Sequence, residues 1–249
     1  MEMIVAVGIF LIICAAMFEL LNISQKKYSS ETQLTAAYQD ARLAMDQIVR
    51  DVNISGYPSP GMLSKPASSA SYAASPFSWD PGYLSSTDCQ IGATCTVPGS
   101  FDLIVETDFG SGVSWIRYQL VGTTLYRSVA PKAAGVDPIA ATSAPGVTTL
   151  FLANVVNNPA GPLLAQITAQ YPAMFPGGLP QPIFQYTCDT PGGATPSTPC
   201  SLAGNNNSPR NIRDVDLTII VMTPQRDAQT ESLKVVELNG SGHRLNPLY

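Results

Sequence analysis

The hydrophobic pattern changes character twice along the chain. From Met3 to Phe18 sixteen consecutive residues carry neither a charge nor a polar amide, and Glu2 and Glu19 flank the run. Extended through Leu20 and Leu21, it approaches the roughly 20 residues that cross a bilayer core and exceeds the roughly 7 to 15 of a signal-peptide core. No basic residue precedes the run and no small-x-small cleavage site follows it, so a cleaved signal fits poorly. The pattern then becomes periodic. Leu34, Tyr38, Ala41, Met45, Ile48 and Val52 are spaced 4, 3, 4, 3, 4, with Ala37 and Val49 widening the stripe and Asp40, Arg42, Asp46, Gln47 and Arg50 off it. Asp46 and Arg50 have the order of a favourable i, i+4 pair. No proline occurs before Pro58, and the only glycine before Gly56 is Gly8. One helix is therefore expected, stopped by Ser55-Gly56-Tyr57-Pro58, with residues 1–22 greasy all round and residues 23–56 amphipathic. About 55 residues at 1.5 Å each give a rod of roughly 80 Å. Asn22 to Ser24 is its weakest stretch, and an anchor joined to a separate soluble helix is the alternative.

Residues 57–249 read as a β-rich domain. Ser, Ala, Pro and Gly dominate residues 58–100, a long excursion without period. Strand signals follow at Phe101–Thr107, Val113–Val121, Thr124–Val129, Val147–Val156, Ile183–Cys188, Ile212–Met222 and Ser232–Leu238. Gly122-Thr123 separates the second and third, which predicts a two-residue hairpin, and Pro224 to Thr230 joins the last two in another. No crossover helix long enough for parallel pairing stands between strands. Gln166 to Phe184, with four prolines, reads as loop. The expected class is α+β: a long N-terminal helix packed by its amphipathic half on an antiparallel sheet.

Composition narrows function. Charged residues are 12 per cent of 249, and glycine and proline together number 40. The net charge of −5 and pI near 4.7 lack the basic field that nucleic acid requires. A single histidine, His243, removes most metal sites and His-based triads, and no cofactor is expected. Glu106 with Asp108, and Asp214 with Asp216, alternate on strands as a glycosidase dyad would, but a solvated strand face does the same and is the expectation. Gly110-Ser111-Gly112 and Gly240-Ser241-Gly242 read as turn chemistry, since no Lys-Ser or Lys-Thr follows as in a phosphate loop. No enzyme motif survives. Of five cysteines, Cys14 lies inside the apolar run. Cys89, Cys95, Cys188 and Cys200 allow three pairings, and the local one, Cys89 with Cys95 and Cys188 with Cys200, is expected in an oxidising compartment. No Cys-x2-Cys occurs, so a zinc reading fails on spacing.

Glu2 through Phe10, EMIVAVGIF, resembles the start of a type IV pilin or type II secretion pseudopilin, which places a glutamate just after its leader-peptidase site. Tyr38-Gln39-Asp40-Ala41-Arg42-Leu43-Ala44-Met45-Asp46, Arg50-Asp51-Val52 and Ser55-Gly56-Tyr57 resemble the corresponding run of PilW-like minor pilins. The resemblance covers the first 57 residues; Pro182-Ile183-Phe184-Gln185-Tyr186 and the strand around Val215-Asp216-Leu217-Thr218 add a weaker similarity. It implies a structural subunit held in the inner membrane with its β domain periplasmic. The subunit would enter a type IV pilus or a type II secretion pseudopilus, at or near the tip, for priming, adhesion or assembly. Its partners would be other pilins or pseudopilins through the N-terminal helix, and a prepilin peptidase acting on a leader. The short basic leader closed by glycine is absent, with only Met1 before Glu2, so an in-frame leader upstream is expected. The resemblance also gives Glu2 a role: a carboxylate beside an apolar run is costly at membrane depth unless paired. Its partner would be the α-ammonium of a neighbouring subunit. The other class kept open is a membrane-anchored binding or adhesion module with no role in a fibre. Lys26 and Lys27 stand at odds with export, because by the positive-inside rule they pull the C-terminal side toward the cytoplasm.

Overall fold

A computed structural model describes residues 2–56, 77, 99–108, 112–131, 147–188, 200, 212–227 and 230–245. The first element is one continuous helix, α1 (Glu2–Asn53), of 52 residues. It passes unbroken through Asn22 to Ser24, so the apolar half and the amphipathic half are one rod of roughly 80 Å. Ser55 and Gly56 end it, Gly56 in the left-handed region at φ 74°.

Among the described residues seven strands follow, all in antiparallel pairs. Sheet one is β1 (Asp102–Asp108), β2 (Val113–Val121), β3 (Thr124–Pro131) and β4 (Val147–Leu152), in that order. Val121 pairs with Thr124 across Gly122-Thr123, the expected two-residue turn, with Gly122 at φ 62°. Sheet two is β5 (Phe184–Cys188), β6 (Ile212–Met222) and β7 (Val235–His243). The chain leaves β4 through Asn154, at φ 59°, and reaches sheet two where Val155 bridges Val221. Asn157, fully buried, then completes the β6 edge with its side chain: its amide donates to the Thr218 and Gln181 carbonyls and its Oδ1 accepts from the Ile220 amide at 2.8 Å. A short side-chain amide thus supplies the pairings that a strand residue would have made.

The helix fits against both sheets. Ala41, Ile48 and Val52 share one core with Ile116, Tyr118 and Leu125 of sheet one and Val215, Leu217, Ile219 and Val221 of sheet two. Val215, Leu217, Ile219 and Val221 of β6 join the core that α1 covers, and Ile220 faces the opposite way. There it packs with Val156, Ile167, Phe175 and Val235 under a second helix, α2 (Pro162–Gln170). Each fully buried Ile or Val contributes about 1.5–3 kcal/mol, so the seam supplies a large part of the stability.

Four expectations need correction. Tyr38 lies on the predicted stripe but is 42 per cent exposed, while Ala44 and Asp51 are buried. At about 100° per residue Tyr38 sits roughly 60° to one side of Ala41, with Ala44 and Asp51 on the other side, so the buried face is rotated toward those two residues. Part of the stretch expected to be loop is helical: α2 starts with Pro162 in its first turn, where proline costs nothing, and ends at Gln170 ahead of Pro172. Gly240-Ser241-Gly242 is not a turn but the far half of β7, which α1 crosses. Glu106 is fully buried rather than solvated, with the Trp115 indole donating to its Oε1 at 3.0 Å.

Candidate assembly site

Before Ser30 no described residue of α1 is buried against the domain. Every residue from Glu2 to Ser29 is exposed except Gly8 and Cys14, which are half-buried. An 18-residue window of this half has a mean hydropathy of 2.7, and none of it is buried. Among the described residues this is the one helix long and apolar enough to cross a membrane. From Met3 to Ile23 the rod is about 31 Å long, the thickness of a hydrocarbon core. Apolar side chains cover its whole circumference, with Met3 82 per cent and Phe18 73 per cent exposed. Glu2 stands exposed in the first turn, where the helix dipole favours a carboxylate.

Contact with the domain begins abruptly at Ser30. Its buried hydroxyl donates to Asp227 Oδ2 at 2.8 Å, in the loop between β6 and β7. Lys234 Nζ lies 3.1 Å from Asp227 and 3.6 Å from Glu31, and Gln33 donates to Gln225 at 3.3 Å. These contacts form a polar collar at the rim of the domain.

Further along, of the expected packing face, Leu34 is half-buried, Tyr38 exposed, and Ala41, Met45, Ile48 and Val52 buried. Two glycines let the helix approach β7. A Cβ at Gly240 would stand 2.6 Å from Met45 Sδ, and one at Gly242 would stand 2.8 Å from Val52 Cβ. Neither distance is compatible with a side chain unless something shifts.

The last turn is fixed to sheet one by a charged cluster. Asp51, buried, accepts from Arg127 Nη2 at 2.9 Å, from the Tyr118 hydroxyl, and from Gln47 Nε2 at 2.8 Å. Arg127 Nε donates to the Tyr118 oxygen at 3.0 Å, and its guanidinium lies 5.7 Å from the Tyr118 ring centroid. Burial first, and then the Asp51 charge, push the Tyr118 hydroxyl well above the usual tyrosine range. The Arg127 guanidinium is held above its usual value: burial opposes this, but Tyr118 and Asp51 outweigh it. This cluster is absent from the hydrophobic pattern, and its one sequence signal is a carboxylate on the buried rim between Ile48 and Val52. Below it, the Asn53 side chain accepts from the His243 amide at 2.9 Å, tying the helix end to β7.

Cys188 and Cys200 are bonded, with Cα atoms 5.2 Å apart, and both lie in the core. Cys89 and Cys95 fall outside the described residues. Cys14 is unbonded in the apolar half of α1. Asp214, on the face of sheet two away from α1, accepts from Arg213 Nε at 2.8 Å and pairs with His243 Nδ1. Burial would raise its carboxyl, but the His243 and Arg213 hydrogen bonds prevail and hold it below the usual range. Among the described residues no three His, Cys, Asp or Glu side chains gather as metal ligands would.

The arrangement is a β domain fastened along one half of a rod, with the other half free to enter an apolar surrounding. No protein-family model matches the chain, and no curated protein does.

Proposed function

We propose that the chain is a structural subunit of the minor pilin or pseudopilin kind. The apolar half of α1 holds it in the bacterial inner membrane with the β domain on the periplasmic side. The same half later packs among like helices in a type IV pilus or a type II secretion pseudopilus, at or near the tip. The observation that carries the reading is the division of one rigid helix at Ser30. Before it lie 28 residues, none of them buried, whose apolar surface runs to Ile23, and after it the helix is cemented to both sheets. A mere tether needs no rigid continuation into a folded domain. A helical fibre does, because each subunit's position is set by its helix and its surface by the domain.

The disulfide agrees with an oxidising compartment. Glu2 would neutralise a neighbouring subunit's N-terminal ammonium, the remedy for a carboxylate at membrane depth. A prepilin peptidase would process a leader, and no catalytic role is assigned to the chain itself.

The test is to shear fibres from cells expressing the full chain and to probe both the fibre and membrane fractions. Protein in the fibres supports the subunit reading. Protein found only in the membrane fraction, in cells that do make fibres, would transfer the reading to a membrane-anchored binding module.

A further inference from the structure

We propose that Lys26 and Lys27 bind the anionic phospholipid headgroups of the leaflet in which the apolar half of α1 ends. The proposal rests on the membrane-anchored reading and adds a lipid class to it.

The register of α1 carries the argument. Its apolar surface ends at Ile23, and its first contact with the domain is Ser30. Ser24 to Ser29 lie between, all exposed, and span about 9 Å at 1.5 Å per residue. A hydrocarbon core of about 30 Å inside a bilayer of about 40–45 Å leaves about 5–8 Å of headgroup on each side. The bare segment is therefore just long enough to cross one headgroup layer, and both lysines lie in it.

Charge favours anionic lipid. The cations of the domain rim are already engaged: Lys234 with Asp227 and Glu31, and Arg226 with the Glu231 carbonyl and the Gln166 side chain. Lys26 and Lys27 enter no ion pair with another described residue. The chain as a whole carries −5, so an anionic membrane surface repels its body, and the lysine pair supplies attraction where the two meet. Successive residues point about 100° apart, so the two ammonium groups reach different headgroups. Tyr28, 76 per cent exposed, adds an aromatic ring at the depth where such rings settle.

The test uses the full chain reconstituted in phosphatidylcholine vesicles. Each preparation carries a trace of spin-labelled phosphatidylglycerol or of spin-labelled phosphatidylcholine. The motionally restricted fraction of each label reports its association with the helix. Phosphatidylglycerol should be favoured about five-fold or more at low salt, on the scale of one lysine near an anionic surface. Lys26→Gln/Lys27→Gln, at two exposed sites remote from the core, should bring the two lipids within about two-fold, as should molar salt. Equal association in the wild type overturns the proposal, and so does a preference that survives the double substitution. A restricted fraction absent for both lipids has a different signature: the helix is then outside the bilayer, and the anchored reading falls with the proposal.

Discussion

The carboxylate of Asp51 and the guanidinium of Arg127 meet at 2.9 Å between the last turn of α1 and the middle of β3. On the helix alone Asp51 is badly placed, since the C-terminal end of a helix dipole repels a carboxylate. The cation from sheet one reverses that penalty only when the helix is docked. The pair thus makes the position of sheet one depend on the orientation of α1, which hydrophobic contacts alone would leave free to slide.

Asp51→Asn should therefore cost more than an ordinary surface change. It leaves Arg127, whose side chain is 25 per cent exposed, without its charge partner beside a buried tyrosine. Removing one member of a buried pair costs about 3–5 kcal/mol, and partial access of water to Arg127 lowers the expectation to about 2–3 kcal/mol. Urea unfolding of the detergent-solubilised chain measures it. A loss under about 0.5 kcal/mol would mean that the cluster contributes nothing net.

The same cluster gives stability a defined pH dependence. Tyr118 and Tyr186 both hold their protons more tightly folded than unfolded, chiefly through burial, with Asp51 acting on the first and Asp102 on the second. Below the ordinary tyrosine pKa, about 10, both states keep the proton and the contribution is complete. As pH rises beyond it, the unfolded chain loses protons that the native chain retains, and stability falls. Each tyrosine contributes a slope of up to about 1.4 kcal/mol per pH unit there. Tyr118→Phe should reduce the slope between pH 10 and 11.5 by about that amount relative to wild type. Unchanged slopes would show that Tyr118 ionises freely.

The two glycines of β7 predict a graded effect. Gly240→Ala places a Cβ against the thioether of Met45, a flexible side chain that can withdraw, and should cost under about 1 kcal/mol. Gly242→Ala meets the branched Cβ of Val52, fully buried near the helix end, and should cost about 1–3 kcal/mol. Val52→Ala combined with Gly242→Ala should then show a coupling of about 1 kcal/mol or more in a double-mutant cycle. Equal costs at the two glycines, with no coupling, would contradict the close approach of helix and strand.

These residues also show where sequence reading reaches its limit. The boundaries of β2 and β6 and the Gly122-Thr123 turn could be read directly, because alternation and turn chemistry are local. The long helix was legible because nothing in residues 2–53 interrupts it. Gly240-Ser241-Gly242 was misread because its meaning lies in Met45 and Val52, about 190 residues away. Tyr38 falls on the stripe by its spacing, yet it stands at the edge of the buried face, where the ring is left 42 per cent exposed. Asp51 and Asn157 were invisible to a hydrophobic pattern, since each is buried only because a distant partner satisfies it. Of the candidate assembly site, the apolar rod was legible and the point where it becomes bare was not. That point is fixed by Asp227 and Lys234 in the β6–β7 loop.

The Cys188–Cys200 bond closes a sequence separation of 12 inside the core. Loop-closure entropy of that length stabilises by about 3 kcal/mol. Cys188→Ala/Cys200→Ala should lose about that much in urea unfolding, and non-reducing peptide mapping should recover the 188–200 pair from wild type. Recovery of Cys188 as a free thiol would count against both the bond and an oxidising destination.

Glu2 separates a fibre subunit from a tethered module, because the two readings assign its carboxylate opposite consequences. In a tether it is a burden: an exposed acid at the start of an apolar helix raises the cost of insertion, and Glu2→Ala should insert as well or better. In a subunit it is a ligand for a neighbour's N-terminal ammonium, and its loss leaves that ammonium unpaired among apolar helices. The seam from Ser30 to Asn53 is remote from residue 2, so the folded domain and its disulfide should be unaffected in either case. Fibre entry is what distinguishes them. At equal expression, the ratio of fibre-associated to membrane-retained protein should fall at least ten-fold in Glu2→Ala, corresponding to about 1.4 kcal/mol of lost pairing. Glu2→Gln, which keeps the shape and removes the charge, should fail similarly. If both variants keep the wild-type ratio, Glu2 has no part in assembly, and the exposed rod serves the membrane alone.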